Sequence, residues 1–200
     1  MAAFIVNTTL DELDGSVADG DVSLRDAIAA ANAAAGADTI GFDATDFNGE
    51  AADILRLTQG QITITDELSI DGGAGVTITG DANGDDVTLV GGITDVAASL
   101  EGEDRLDDNG RIFDATADLT LDGLTLTGGR TTADGAPGGA VRSTAALTLI
   151  DSKVGGNSTA GYSYGRGGGI ASASDVTVTN STVSGNSTAG LLSDLSLIHI

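Results

Sequence analysis

The sequence predicts an all-β protein, a right-handed parallel β-helix (a solenoid) with an N-terminal capping strand and helix. Three observations predict it. From Ile54 onward apolar residues recur with period two, in short pairs punctuated by Gly or Asp-Gly. The second half repeats itself at a step of 28 to 29 residues. The 30 Gly, single Pro and 3% aromatic content suit many tight turns around a core of stacked Val, Ile, Leu and Ala.

The elements follow in order. Phe4, Ile5 and Val6 read as a strand, and Asp11 to Asp21 as an acidic loop. Ser23-Leu24-Arg25-Asp26 fits a capping box, with Ser23 as the cap and Asp26 three residues on. Leu24, Ala27, Ile28, Ala31 and Ala35 then fall on one helical stripe that Gly36 ends. This helix, Ser23 to Ala35, is expected to lid the solenoid, because a bare end exposes strand edges and core. Thr39, Ile40 and Phe42 read as a short strand. The period-two pairs come next: Leu55 and Leu57, Ile62 and Ile64, Leu68 and Ile70, Val76 and Ile78, Val87 and Leu89. An acid-rich loop, Thr94 to Gly110, interrupts them. The organisation is a cap over residues 1–52, β-helix repeats over 53–190, and a tail over 191–200 that is not native or is truncated.

The repeats are explicit. Leu119-Thr-Leu121, Leu147-Thr-Leu149 and Val176-Thr-Val178 are equivalent, as are Leu126, Val154 and Val183. Gly139-Ala-Val141 matches Gly168-Gly-Ile170, and Asn157-Ser-Thr-Ala-Gly161 recurs as Asn186-Ser-Thr-Ala-Gly190. A leucine-rich repeat has a similar period but wants a longer Leu framework. Here the return is Gly, Ser and Thr with strand patterning, so each Leu or Val is expected to lie above its equivalent, with backbone bonds between repeats. Gly129, Asn157 and Asn186 share one repeat position. Both residue types tolerate a left-handed backbone, so a tight bend is expected there, with stacked Asn side chains bonding along the axis. Ser152 and Ser181 are expected to form a hydroxyl ladder.

Charge narrows the partners. The net charge is −22, with 23 acidic and 3 basic residues in 1–108 but only 7 and 5 in 109–200. Such a chain repels nucleic acid and anionic membranes and attracts divalent cations. No run of about 18 apolar residues occurs, so membrane insertion is not expected. The absence of cysteine removes disulfides and thiol metal sites. No basic and apolar leader precedes Phe4, so no Sec signal peptide is read, and the acidic, Gly-rich composition suits type I secretion.

The segment Asp21-Val-Ser-Leu-Arg-Asp-Ala-Ile-Ala-Ala-Ala-Asn32 resembles the signature of CSLREA-domain proteins, in which a Cys-Ser-Leu-Arg-Glu-Ala-Ile helix precedes a right-handed parallel β-helix. Ala37-Asp-Thr-Ile40, Leu68-Ser-Ile-Asp-Gly72, Gly110-Arg-Ile-Phe-Asp114, Leu121-Asp-Gly-Leu-Thr-Leu-Thr-Gly-Gly129 and Ser181-Thr-Val-Ser-Gly-Asn186 resemble that family too, over about residues 4–190. The resemblance implies a secreted or cell-surface bacterial protein, often large, and implies no single activity. Family members often carry two cysteines where Val17 and Val22 stand, which implies a disulfide replaced by apolar contact.

Several residues carry candidate chemistry, each with a bland reading beside it. Asp81, Asn83 and Asp85 take the first, third and fifth places of a calcium loop, with Asp86 next. The EF-hand pattern then fails, since Asp86 and Gly92 stand where Gly and an acid belong, and a solvated turn accounts for the same residues. Gly72-Gly-Ala-Gly75 begins like a calcium-binding nonapeptide but lacks its Asp, which leaves a glycine turn. Glu101 to Asp108 reads as a cation patch or a solvated loop. A lyase would want a base near carboxylates, drawn from Arg130, Arg142, Lys153 and Arg166 with Asp134 and Asp151; a hydrolase would want paired carboxylates. Turn residues on a solvent-facing ridge account for them equally. Tyr162 and Tyr164 suit stacking on sugar rings or simple pinning of their loop. His199 has no arguable partner.

The function expected is therefore a non-enzymatic secreted or cell-surface segment of a larger protein, adhesin-like or structural, with a polysaccharide or cell-surface glycan as partner and no cofactor beyond calcium. The rival is a carbohydrate-active β-helix enzyme, a polysaccharide lyase or glycosidase. A calcium-dependent structural module is a third reading, separable by melting with and without chelator. Finally, Leu195 to Ile200 can be encoded by CTG TCT CTT ATA CAC ATC, a string that resembles a transposon end used to fragment DNA. The tail is accordingly expected to be non-native, and resequencing the locus from unfragmented DNA checks it. A genuine terminal strand is the competing reading.

Overall fold

Ser23 starts the single helix of the computed structural model, which describes residues 1–18, 20–49, 53–84, 109–133, 136–160 and 167–188. The Ser23 hydroxyl accepts from the Asp26 backbone N–H, satisfying one of the donors that a helix start leaves open. Helix α1, Leu24–Ala33, buries Leu24, Ala27, Ile28 and Ala31. Two expectations shift here. Asp26 does not reach back to the cap's N–H: its carboxylate accepts from the Ser23 hydroxyl and from the Asp14 and Gly15 amides, tying the preceding loop to the helix. The helix also stops at Ala33, with Ala34 extended, so Ala35 lies past it and is exposed.

The strands are β1 Ala3–Val6, β2 Asp38–Phe42, β3 Ile54–Arg56, β4 Ile62–Ile64 and β5 Leu68–Thr79, then β6 Phe113–Ala115, β7 Leu119–Thr127 and β8 Arg130–Thr131. They continue with β9 Val141–Ser143, β10 Leu147–Ile150, β11 Lys153–Gly155 and β12 Ser158–Thr159, and end with β13 Ile170–Ser172, β14 Val176–Thr179, β15 Thr182–Ser184 and β16 Ser187–Thr188. Among the described residues the protein is all-β with one helix, and every recorded strand pair is parallel. The largest sheet runs β1-β2-β5-β7-β10-β14, with β3 beside β5 and β11 between β7 and β15. The second runs β4-β6-β9-β13 and the third β8-β12-β16. From β6 onward the chain visits the three sheets in rotation.

Register follows the repeat. Leu121, Leu149 and Val178 stand directly opposite one another, and Ile40 and Ile70 extend the same column toward the N-terminus. Leu126, Val154 and Val183 form a second column, which Ile78 and Leu55 extend toward the N-terminus. Ile62, Phe113, Val141 and Ile170 line the second sheet. Alternate residues of β4, β6, β7, β9 and β10 are buried, and their apolar members join one core with Val6, Leu24 and Ile28. The strands expected of the cap, β1 and β2, extend the largest sheet without a break. Val22 enters this core but Val17 is 41% exposed, so the two do not replace a disulfide with a buried contact.

The bends correct a second expectation. Gly129, Asn157 and Asn186 are not the left-handed residues; the glycines just before them are, with φ of 64° at Gly128, 70° at Gly156 and 65° at Gly185. A second left-handed column runs through Gly123 (63°), Asp151 (45°) and Asn180 (51°). The repeated Gly139 and Gly168 have a different cause. A Cβ at Gly139 would fall 2.2 Å from the Gly168 carbonyl oxygen of the following repeat, and one at Gly168 would fall 2.1 Å from the Ser187 carbonyl oxygen, so only glycine fits.

The stacked Asn side chains do bond along the axis. Asn157 Oδ1 accepts from the Gly129 N–H (2.8 Å), and Asn157 donates from Nδ2 to Asn186 Oδ1 (2.9 Å). The serines also form a ladder, though from hydroxyl to backbone. Leu124 N–H donates to Ser152 Oγ (3.1 Å), and Ser152 N–H donates to Ser181 Oγ (3.0 Å). These side chains occupy backbone groups that the bends remove from the sheet ladders.

Candidate functional site

Among the described residues, a group of charged side chains converges on the outer face of the β4-β6-β9-β13 sheet. Strand alternation turns Asp114 of β6 and Arg142 of β9 outward, and register sets them opposite each other. Arg142 Nη1 donates to Asp114 Oδ1 at 2.8 Å. Arg111, just before β6, brings Nη1 to 3.7 Å from Asp114 Oδ2 and donates to Gln61 Oε1 at 2.8 Å. Gln61 Nε2 in turn donates to Asp114 Oδ2 at 3.4 Å. Above this group, Arg25 of α1 grips Asp11 through two bonds (2.7 and 3.0 Å) and donates to the Gly60 and Gln61 carbonyls.

The arrangement is a clamp. Arg111 also donates to the Gly138 and Pro137 carbonyls, fastening the segment that leads into β9. Burial pulls the Arg111 guanidinium below its ordinary value; Asp114 opposes that shift and Arg142 reinforces it. The Asp114 carboxylate thus faces two guanidinium groups and an amide. Glycoside hydrolysis needs a second carboxylate across the bond, and none joins Asp114 among the described residues of this cluster. Arg142, with 37% of its side chain exposed, and the exposed Gln61 are the members that solvent reaches.

The residues singled out from sequence are placed apart. Arg130 lies in the third sheet, Arg142 in the second, and Lys153 in the largest, where Asp151 occupies a left-handed bend. The structure therefore does not bring these four together. Asp81 is buried and engaged: Oδ2 pairs with Arg56 Nη1 at 3.2 Å and Oδ1 accepts the Gly84 N–H at 2.6 Å. Asn83 sits in the turn so formed, while Asp85 and Asp86 lie outside the described residues. Among the described residues no three acidic or histidine side chains are grouped to hold a metal ion. Gly72 to Gly75 lie at the register shift inside β5, with the Gly73 N–H on Asp71 Oδ1. Glu101 to Asp108, Asp134, Tyr162, Tyr164, Arg166 and His199 lie outside the described residues, as does the tail over 191–200.

Gln61, Arg111 and Asp114 were not anticipated as a group. Asp114 and Arg142 are 28 residues apart, the repeat step, so that pair was legible as two outward positions of one column. Gln61 and Arg111 are 50 apart, across a long insertion, and no periodicity links them.

A second electrostatic feature crosses the largest sheet. Asp71 stands opposite Asp122, and Asp151 follows at the next bend. Burial raises the Asp122 carboxyl above its ordinary value, and repulsion from Asp71 and Asp151 adds to it; the Gly123 N–H partly offsets both. A carboxyl whose pKa is raised on folding stabilises the fold below its unfolded value and loses that contribution as pH climbs through the folded value. Asp122→Asn is therefore expected to raise the melting temperature at neutral pH. The gain should vanish below the carboxylate range and shrink in high salt. A melting temperature that is unchanged or lowered at neutral pH would show that the column is not repulsive.

No family model, curated protein or solved structure matches the chain. Among the described residues, no helix is long and apolar enough to cross a membrane.

Proposed function

We propose that the chain is a stretch of right-handed parallel β-helix from a CSLREA-type secreted or cell-surface protein, and that it serves as a non-enzymatic, adhesin-like or structural module. The observation that carries this reading is the unbroken in-register stacking of Ile40, Ile70, Leu121, Leu149 and Val178 beside buried Asn and Ser ladders. Polar side chains in the interior serve the stacking itself, and in the outward cluster Asp114 is held by Arg142, Arg111 and Gln61. The family resemblance of the α1 segment supports the secreted assignment, and the acidic surface argues for a partner that is neither nucleic acid nor anionic membrane.

One arrangement favours the rival enzyme: a solvent-reached Arg142 beside a carboxylate, the pairing an anionic polysaccharide would meet. Turnover decides between the two. Incubation with polyuronates and neutral polysaccharides is expected to release no unsaturated product and no new reducing ends, while retention on insoluble polysaccharide or on bacterial cells is expected to persist in Arg142→Ala. Turnover that disappears in Arg142→Ala or Arg166→Ala would establish the enzyme instead.

A further inference from the structure

Parallel pairing gives the second sheet a regular series of rungs. Alternate residues of a strand turn their N–H and C=O to opposite neighbours, and a carbonyl meets the amide one residue past its partner. Ile64, Ala115 and Ser143 follow this rule in turn. The Thr116 N–H donates to the Ile64 carbonyl (2.8 Å), the Thr144 N–H to that of Ala115 (2.9 Å) and the Ala173 N–H to that of Ser143 (2.9 Å). On its other side β4 has no strand neighbour among the described residues. The rung exists there nevertheless. The Thr65 N–H donates to Asn32 Oδ1 (2.8 Å), and Asn32 Nδ2 donates to the Thr63 carbonyl (2.9 Å). These are the two backbone groups that a residue paired with Ile64 would bond, so the Asn32 carboxamide stands where the peptide group of a further strand would lie.

We infer that α1 is an edge plug, which through Asn32 closes β4 against the addition of another strand. Asparagine is a poor helix former, and it follows Ala29, Ala30 and Ala31, which are good ones. Helix propensity does not call for it there, whereas the two bonds to β4 do. Arg25 lies two helical turns earlier on the same face and donates to the Gly60 and Gln61 carbonyls of the same edge. Beyond the helix, the Gly36 N–H donates to Asp66 Oδ2 (3.1 Å). An edge with open N–H and C=O groups is a template for pairing with another chain. A strand in this place would only move the open edge outward by one rung. A carboxamide on a helix ends the series, because the helix backbone spends its own groups on internal bonds. The inference stands on these hydrogen bonds and is independent of the adhesin reading.

Amide exchange of the dilute full chain and its sedimentation over a concentration series test the plug together. In the parent, the Thr65 amide should be protected as Thr116 and Thr144 are. Asn32→Leu keeps the approximate shape and makes neither bond. It should speed exchange at Thr65 by about tenfold or more, as the loss of one hydrogen bond implies, and leave Thr116 and Thr144 as they were. It should also self-associate more than the parent at equal concentration. Adding Thr65→Pro to Asn32→Leu should return association to the parent's level, because proline offers no N–H to an incoming strand. Asn32→Asp retains the acceptor, so Thr65 should stay protected and association should not rise. Equal Thr65 exchange in the parent and in Asn32→Leu would overturn the inference. So would faster exchange without a gain in association, or association that Thr65→Pro leaves untouched. Loss of protection throughout β6 and β9 in Asn32→Leu would make Asn32 a support of the whole fold, and that result overturns the plug as well.

Discussion

Leu149→Asp is expected to unfold the repeats around it, and Leu149→Ala to cost about 2–5 kcal/mol. Leu149 is fully buried in β10, with Leu121 on one side and Val178 on the other. The inward residues beside it in the chain and in the adjoining column are Leu147 and Val154, so no cation is at hand for a carboxylate. An aspartate there must stay neutral against its preference or draw water into the core, and either outcome removes most of the margin of about 5–15 kcal/mol that a domain possesses. Stacked repeats contact only their neighbours, so the damage should be local. Amide exchange should accelerate first in β7, β10 and β14 and last in α1, β1 and β2. The control is one residue away. Thr148 points outward between Thr120 and Thr177, and Thr148→Asp should change stability by no more than about 0.5 kcal/mol. If Leu149→Asp melts like the parent, or if Thr148→Asp proves the more damaging, the inward column has been assigned to the wrong face.

These columns were legible in the sequence because a parallel stack copies its spacing into the chain: residues 28 or 29 apart become neighbours one strand spacing apart, about 4.8 Å. The bends were legible only as a neighbourhood. Asn157 and Asn186 suggested both a left-handed backbone and a side-chain ladder, and only the ladder belongs to them. The left-handed positions fall on Gly156 and Gly185, one residue earlier, where glycine adopts positive φ without strain. The other left-handed column, Gly123, Asp151 and Asn180, repeats at the same step and consists of the residue types that tolerate it, so the signal was present. The clamp at Asp114 was half legible. Repeat spacing brings Arg142 to Asp114, while Arg25, Gln61 and Arg111 converge from segments that share no period. The capping box illustrates a third kind of limit. Spacing alone placed Asp26 near Ser23, but whether its carboxylate turned to the cap or to the Asp14–Gly15 loop depended on a loop path that the pattern does not encode.

Asn157→Ala is expected to destabilise the protein by about 2–4 kcal/mol, more than the exposed asparagine of any surface turn would. Asn157 is buried, and its amide does several things at once. Oδ1 accepts the Gly129 N–H, and Nδ2 faces the Leu126 and Gly155 carbonyls (both 3.1 Å) as well as Asn186 Oδ1. Truncation leaves the buried Gly129 N–H without that acceptor, a loss of about 1–3 kcal/mol by itself, and opens a small void beneath it. Asn157→Asp separates the polar account from the packing account, because it keeps the shape and replaces the donor with an acceptor. At neutral pH the new carboxylate would face three oxygens, so its pKa should rise on folding. By linkage the variant is then most stable below the ordinary carboxylate range and loses stability as pH climbs through the raised value. Asn157→Asp should therefore melt well below the parent at neutral pH and recover much of the difference in acid, whereas Asn157→Ala should show no such recovery relative to the parent. Thermal melts of the three proteins over a pH series decide it, and equal pH profiles for both variants would mean that Asn157 holds the bend by volume and not through its ladder of hydrogen bonds.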